Sequence, residues 1–453
     1  MDKREFLKTS GAFLTGTALT RLAAGEPLAD SAVHAPRTNW SGNYTYRADR
    51  LYLPGSVPEV QHLVQQCSKL QALGARHSFN GIADNSQNQI SLEHLNAMEL
   101  DREARTVTVG AGVTYDQLAP YLNAEGFALH NLASLTSITV AGACATATHG
   151  SGNRNGNLAT AVAGMQMVAA DGSLVALSGK NPAERFPGTV VHLGGLGIVT
   201  ALTLHVEPTY QMSQVVYENL PLAQLERHLE QIFASGYSVS LFTDWQQHRI
   251  AQVWIKRRVA PGTSPPIEPE FFGATPATRK LHPIPGHPAE SCTEQLGIPG
   301  PWYERLPHFR MGFTPSSGAE LQSEYFVPRE HGYRALLAVE ELRDHIAPLL
   351  FVSELRTVDA DNLWMSPCYQ RPSMTIHFTW KPERPAVRKV LPMIEASLAP
   401  FQARPHWAKL FTLAPARLDA LYARLPDYRT LRQQYDPHGK FRNRFLDRNL
   451  YAG

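Results

Sequence analysis

Apolar residues at Val57, Val60, Val64, Cys67 and Leu70 recur at helical spacing behind Ser56-Val57-Pro58-Glu59, a capping box with proline in the first turn. This predicts a helix that leads through Leu73 straight into a loop at Gly74. Residues 106–109 alternate as a strand and stop at Gly110 and Gly112, and residues 115–122 have the spacing of a second helix. Residues 165–169 and 174–177 are strand-like and flank Asp171-Gly172, a hairpin-turn signal. Gly194-Gly195-Leu196-Gly197 then feeds a strand from Ile198 that ends near Pro208. The pattern up to this point is α+β and contains no Rossmann unit.

After Thr209 the character changes. Residues 237–242 and 250–257 predict a pair of antiparallel strands, and the proline-heavy stretch 260–288 is too polar and broken for regular structure. Three further strands are expected at 319–327, 351–358 and 374–380, with a helix over 331–346 between them. Beyond Arg404 the chain is helical around 418–431. There is no internal repeat or low-complexity segment.

Side chains alternate across a strand, so period two sorts each of these strands into faces. Glu354 and Arg356 share one face, with Ser353, Leu355 and Thr357 on the other. Thr375, His377 and Thr379 point one way; Met374, Ile376, Phe378 and Trp380 point the other. Gln322 and Glu324 share a face. Three strands thus offer polar faces able to bind hydroxyls. Such a sheet would pack its apolar face on helices and close a pocket with its polar face. Taken strand by strand, the same residues also describe an ordinary sheet whose polar face meets water.

Composition narrows the class. At 453 residues, 43% of them hydrophobic and 18% charged, the chain has material for a large core and for two or three domains. Basic residues number 42 and acidic ones 40. With no dominant sign, nothing in the charge argues for nucleic acid or an anionic membrane, and a neutral small substrate fits better. Cys67, Cys144, Cys292 and Cys368 have no metal-ligand spacing, and the 18 histidines include no His-Glu-x-x-His pair, so no metal site is expected. Residues 1–35 combine the basic head Lys3-Arg4, a short apolar run from Gly11 to Ala18 and small residues beyond it. That is the layout of an export signal rather than a membrane anchor.

Two loops carry the strongest chemical signal. Gly74-Ala75-Arg76-His77-Ser78-Phe79-Asn80-Gly81 and Thr139-Val140-Ala141-Gly142-Ala143-Cys144-Ala145-Thr146-Ala147-Thr148-His149-Gly150 are rich in small residues and bare backbone N–H groups. A loop folding around a diphosphate needs both. Together they resemble the flavin-contacting loops of vanillyl-alcohol-oxidase type FAD enzymes. From about Asn39 onward the chain resembles the bacterial alditol oxidases, a branch related to the aldonolactone oxidases. The N-terminal segment resembles a twin-arginine signal in which Lys3 replaces the first arginine.

The resemblance implies a two-subdomain FAD-binding domain of the PCMH type over residues 38–208, an α/β cap domain built on an antiparallel sheet over 209–403, and a segment 404–453 that returns to the FAD domain. It implies FAD bonded covalently through His77. Gly74, Ala75, Arg76, His77, Ser78, Phe79 and Asn80 would form the diphosphate loop. Further flavin contacts would come from Ser134, Thr139, Gly142, Thr146, Ala147, Thr148, His149 and Ile198, and from Asn443. Asn443 closes Asp436-Pro437-x-x-x-Phe441-x-Asn443, which alone reads equally as a capped helix end and a turn. The family's second loop has glycine where this chain has Ala147, so a slight shift in the backbone approach is expected there. Ser134, Gln322, Glu354, Arg356, His377, Thr379 and Lys409 match the polyol-binding groups.

The implied reaction is hydride transfer from a terminal polyol carbon to the flavin N5. Arg356 and Lys409 would stabilise the developing alkoxide, and Glu354 with the other polar groups would hold the remaining hydroxyls. Xylitol and sorbitol would give the aldose, with molecular oxygen reduced to hydrogen peroxide, by a monomer without a membrane anchor. Within enzymes the rival is an aldonolactone oxidase or dehydrogenase of the gulono- or galactono-1,4-lactone type. Glu354-x-Arg356 is shared with that branch, whereas His377 beside Thr379, and Lys409 in its context, favour the alditol side. Outside enzymes the rival is a periplasmic carbohydrate-binding protein without redox activity, in which His77 would have no purpose.

Overall fold

Ser56 caps the helix Val57–Gln66, its hydroxyl accepting from the Glu59 N–H, in the computed structural model, which describes residues 37–180, 185–313 and 319–451. The signal-like segment 1–35 lies outside the described residues. This first helix is shorter than its apolar pattern. Cys67 turns to extended backbone and ends it, so Cys67 and Leu70 are buried beyond the helix rather than on its stripe. The strand Gln71–Leu73 follows at once. It forms a parallel three-stranded sheet with Asn88–Ser91 and Arg50–Tyr52.

A second, antiparallel sheet of five strands runs in the order Met98–Asp101, Thr106–Gly110, Ile198–His205, Val162–Val168, Leu174–Ser178. Its second strand ends at Gly110, and both this residue and Gly112 have to be glycine because an added Cβ would lie 2.1 or 2.2 Å from a backbone carbonyl oxygen, of Leu95 and Leu92. The Asp171-Gly172 hairpin is wider than a two-residue turn. Its loop spans 169–173, with the Ala169 N–H donating to Ser173 O and Asp171 Oδ1 accepting from the Ser173 N–H.

The residues after Thr209 build an antiparallel-dominated sheet of nine strands. Its central order is Gln211–Pro221, Arg249–Val259, Ser238–Thr243, Leu350–Val358, Ser373–Trp380, Leu321–Pro328. The 11-residue strand Gln211–Pro221, which polar interruptions hide in the sequence, pairs with Arg249–Val259 along its length. The apolar face (Leu241, Val253, Ile255, Leu355, Ile376, Phe378 and their neighbours) packs with helices Gln224–Ala234, Gly332–Glu340 and Arg384–Leu398 into one core. Even its polar members point to that side: Ser323 and Ser353 accept from the buried indoles of Trp380 and Trp245.

Two predicted helices are each broken in two. The 331–346 stretch is Gly332–Glu340 and Arg343–Ile346, parted where Leu342 leaves helical backbone at ψ 7. The 418–431 stretch is Pro415–Leu421 and Leu425–Tyr435. Here Pro426 restarts the helix at its second position, where a missing N–H costs nothing. No helix among the described residues is long and apolar enough to cross a membrane.

Candidate active site

The first loop is held by its carbonyls. The oxygens of Arg76, Ser78 and Phe79 accept from the Trp40 N–H and the side-chain amides of Asn39 and Asn43. The N–H groups of Ala75, Arg76, His77 and Ser78 find no partner among the described residues, and Arg76 adopts a left-handed φ of 64°. Successive free donors around such a turn form a concavity for an anion. The second loop begins where Thr139 caps Val140–Ala145, its hydroxyl accepting from the Gly142 N–H at 3.3 Å. A Cβ added at Gly74 or Gly142 would lie 2.6 or 2.8 Å from that hydroxyl, so glycine is what lets the two loops close on one another. Free donors and close backbone approach on both loops fit the diphosphate of FAD.

Both loops open into a cavity of about 460 Å3, whose other wall is the polar face of the large sheet. The strand register assembles that wall. His377 lies opposite Glu324 on one side and Glu354 on the other, and Thr379 lies opposite Gln322. Of the residues predicted from sequence, Gly74 to Phe79, Ser134, Thr139, Gly142, Thr146, Thr148, His149, Gln322, Glu354, Arg356, His377, Thr379 and Lys409 all line this cavity.

Asn80, Ala147, Ile198 and Asn443 do not line it. The Asn80 amide donates to the carbonyls of Trp407 and Lys409, both at 2.8 Å, and so ties the first loop to the segment that carries Lys409. Asn443 caps a short helix and donates to Ile82 O. Ile198 is buried in the core beside the parallel sheet. Ala147 has φ 54°, the left-handed region where glycine is at ease, and its methyl group packs into the core rather than toward the loop's ligand side.

Glu324 is the hub of the wall and is fully buried. Its Oε2 meets Lys409 Nζ at 2.6 Å; its Oε1 meets an Arg356 amino group at 3.0 Å and His149 Nε2 at 3.1 Å. Burial opposes its ionisation, yet Lys409, His149 and Arg356 together hold the carboxyl well below the usual range. Arg356 also donates to Ser134 Oγ at 3.3 Å. Glu354 lies 3.5 Å from Arg356 Nε; burial opposes its ionisation, but Arg356, His308 and His377 together hold this carboxyl below its ordinary range as well. Lys409 donates to His377 Nδ1 at 2.7 Å, which leaves the proton of that imidazole on Nε2, facing Thr379 Oγ1 at 3.0 Å. Burial and the Lys409 charge lower His377 to about 4, so it is neutral at pH 7. His149, Glu324 and His406 are near enough to share a cation. A metal there would meet two like charges, because Arg356 and Lys409 already face Glu324.

His77 stacks on Trp40, ring centroids 5.0 Å apart. Burial, and then the Arg76 charge, lower its pKa to about 4. Sequence reasoning missed Trp40, Glu324, His406 and His308 as site residues. For Glu324 the signal was present in its shared face with Gln322.

Residues 48–178 match a family model described as an FAD binding domain, and residues 319–449 match one described as D-arabinono-1,4-lactone oxidase. The chain is 49% identical to an alditol oxidase of Streptomyces over 92% of its own length and 99% of that protein. It is 26% identical to an L-gulonolactone oxidase of Mus musculus, over 91% of this chain and 98% of the other. Among solved structures, a cholesterol oxidase from B. sterolicum superposes with a TM-score of 0.75 at 15% identity, covering 96% of this chain and all of that one. A xylooligosaccharide oxidase from Myceliophthora thermophila, solved with xylobiose, gives 0.68 at 14%, over 89% and 92%. These two share the fold: an FAD-binding unit of the PCMH type with an antiparallel cap sheet.

Proposed function

The chain belongs to the alditol oxidase family of FAD-dependent oxidoreductases, and on that premise we propose that it oxidises the terminal carbinol of xylitol and sorbitol. The products are the aldose and, from oxygen, hydrogen peroxide. The observation that carries this reading is convergence: the face of the sheet bearing Glu324, Glu354, Arg356, His377 and Thr379 opens on the same cavity as the two glycine-rich loops.

Bound FAD supplies the hydride acceptor and the route of electrons to oxygen. The chain's own groups do the rest. Arg356 and Lys409 offset the negative charge on the substrate oxygen as its hydroxyl loses a proton. Glu354, Thr379, Gln322 and Ser134 pair with the other hydroxyls, so that an analogue lacking them leaves buried polar groups unmet and is rejected. His77 would be the residue that holds FAD covalently, its imidazole being neutral and so keeping a nitrogen lone pair. Removing His77 is expected to break that attachment. In wild-type enzyme precipitated with acid the yellow colour should stay in the washed pellet, and in His77→Ala it should pass to the supernatant. Colour in the wild-type supernatant would exclude the covalent link.

Peroxide release is expected with xylitol and sorbitol and not with L-gulono-1,4-lactone; the reverse preference would move the chain to the lactone branch. The basic head and short apolar run of residues 1–35 support export of the folded, flavin-loaded protein. Activity is therefore expected in the periplasmic fraction, and recovery only from the cytoplasm would exclude export.

A further inference from the structure

Behind Glu354 lies a second layer of polar groups. Lys256, on the strand Arg249–Val259, is 1% exposed. It has the same parity as Trp254, which lies opposite Ser240; Ser240 in turn lies opposite Arg356, so the lysine is on the cavity side of the sheet. An ammonium has three donors, and three acceptors stand around this one: Leu306 O at 2.5 Å, Pro307 O at 2.9 Å and His308 Nδ1 at 3.1 Å. Donation to Nδ1 makes that nitrogen the acceptor and puts the imidazole proton on Nε2. There it donates to Glu354 Oε1 at 2.7 Å. The same tautomer is required from the other side, because an ionised carboxylate can only accept.

The ring plane of His308 is fixed as well. Phe242 and Trp254 meet it edge-on, with centroids 5.5 and 5.3 Å away. The backbone N–H groups of His308 and Phe309 both donate to Ser134 O, at 3.0 and 3.3 Å. Residues 306–309 therefore grip two of the groups that face the substrate, Ser134 from the flavin side and Glu354 from the cap. Glu354 Oε2 has no protein partner among the described residues, and Glu354 lines the cavity.

We propose that Lys256 and His308 are positioning residues that hold Glu354 in one rotamer, with Oε1 taken and Oε2 presented to a substrate hydroxyl. This rests on the polyol reading of the site. Burial pushes Lys256 down to about 7, with Glu354 partly offsetting it. An amide could hold two carbonyls at a smaller desolvation cost; the third donor of the lysine is what sets the imidazole.

The test uses flavin-loaded enzyme and xylitol, with Lys256→Met, His308→Ala and His308→Gln made alone and in a Glu354→Ala background. Lys256→Met and His308→Ala are each expected to raise KM about tenfold or more, with a smaller change in kcat. His308→Gln, whose amide can still donate to Oε1, should recover most of the loss. In the Glu354→Ala background none of these changes should add to the defect. Unchanged KM in the single variants, or full additivity in that background, overturns the proposal. If Lys256→Met does not fold, the His308 variants decide it. The imidazole nitrogen NMR spectrum without substrate is a separate check: the resonances lost in His308→Gln should be those of the Nε2–H tautomer, and an Nδ1–H tautomer overturns the proposal. Should the wild-type enzyme leave alditols untouched, the polyol reading falls while the tautomer still judges His308.

Discussion

Replacing Arg356 with alanine is expected to lower kcat/KM for xylitol by about 100- to 1000-fold, the usual effect of removing one preorganised donor to a developing oxyanion. FAD should stay bound, because no loop that fits it depends on this side chain. The guanidinium has five N–H donors. One is aimed at Glu324 and one at Ser134, and Arg356 lines the cavity, so donors remain for a substrate oxygen. Its neighbours keep other partners when it is gone: Glu324 retains Lys409, and Glu354 retains His308. The loss should therefore fall on catalysis more than on folding. Arg356→Lys keeps a charge but not the planar fork that spans Glu324 and Ser134, and should recover only part of the rate. Steady-state rates at matched flavin content measure both variants. A near-normal kcat/KM in Arg356→Ala would remove this residue from the reaction and leave Lys409 alone with the charge.

Much of this wall is legible in the amino-acid order alone. Alternation is a local property of an extended backbone, so the shared face of Glu354 with Arg356, or of His377 with Thr379, follows from counting by twos. What counting cannot supply is register. That Glu324, His377 and Glu354 fall in one row is set by long-range pairing of three strands. Counting thus puts Glu324 on the right face without marking it as the hub. The glycine loops are equally legible, since the need for small residues is written locally. Asn80 and Asn443 are not, because an amide that holds backbone and one that faces a ligand have the same sequence signature.

Other parts leave weaker traces. Lys256 shares parity with Gln252 in a strand that is otherwise mostly apolar, which is also how a strand with one wet face is written. His308 follows a stretch without period, where spacing says nothing about direction. Trp40 reaches the site only because residues 39–43 fold back along the first loop. The break at Pro426 is readable from its missing N–H, and the apolar spacing on either side masks it. The strand Gln211–Pro221 is buried on both faces over much of its length and loses the alternation that would reveal it.

Glu324→Gln is expected to destabilise the folded protein by about 3–5 kcal/mol at pH 7, the cost of leaving buried charge without its counterion. Two cations, Lys409 and Arg356, meet this one carboxylate, and the amide that replaces it cannot balance either. The pH dependence separates this from simple misfit. The Glu324 carboxyl is held well below its ordinary value of 4.5 in the folded chain. Its ionisation therefore contributes stability that is fully present above about pH 4.5 and is lost as pH falls through the depressed folded value. The gap in urea midpoint between wild type and variant should be widest near neutrality and shrink steadily below pH 4.5, as the wild-type carboxyl is protonated first in the unfolded chain and, at still lower pH, in the folded one. Activity should fall with it, because Lys409 Nζ loses the 2.6 Å partner that directs it. A gap that stays constant from pH 7 to well below 4.5 would mean that shape rather than charge is what Glu324 contributes, and that His377, with Asn80 on the backbone, is enough to hold Lys409.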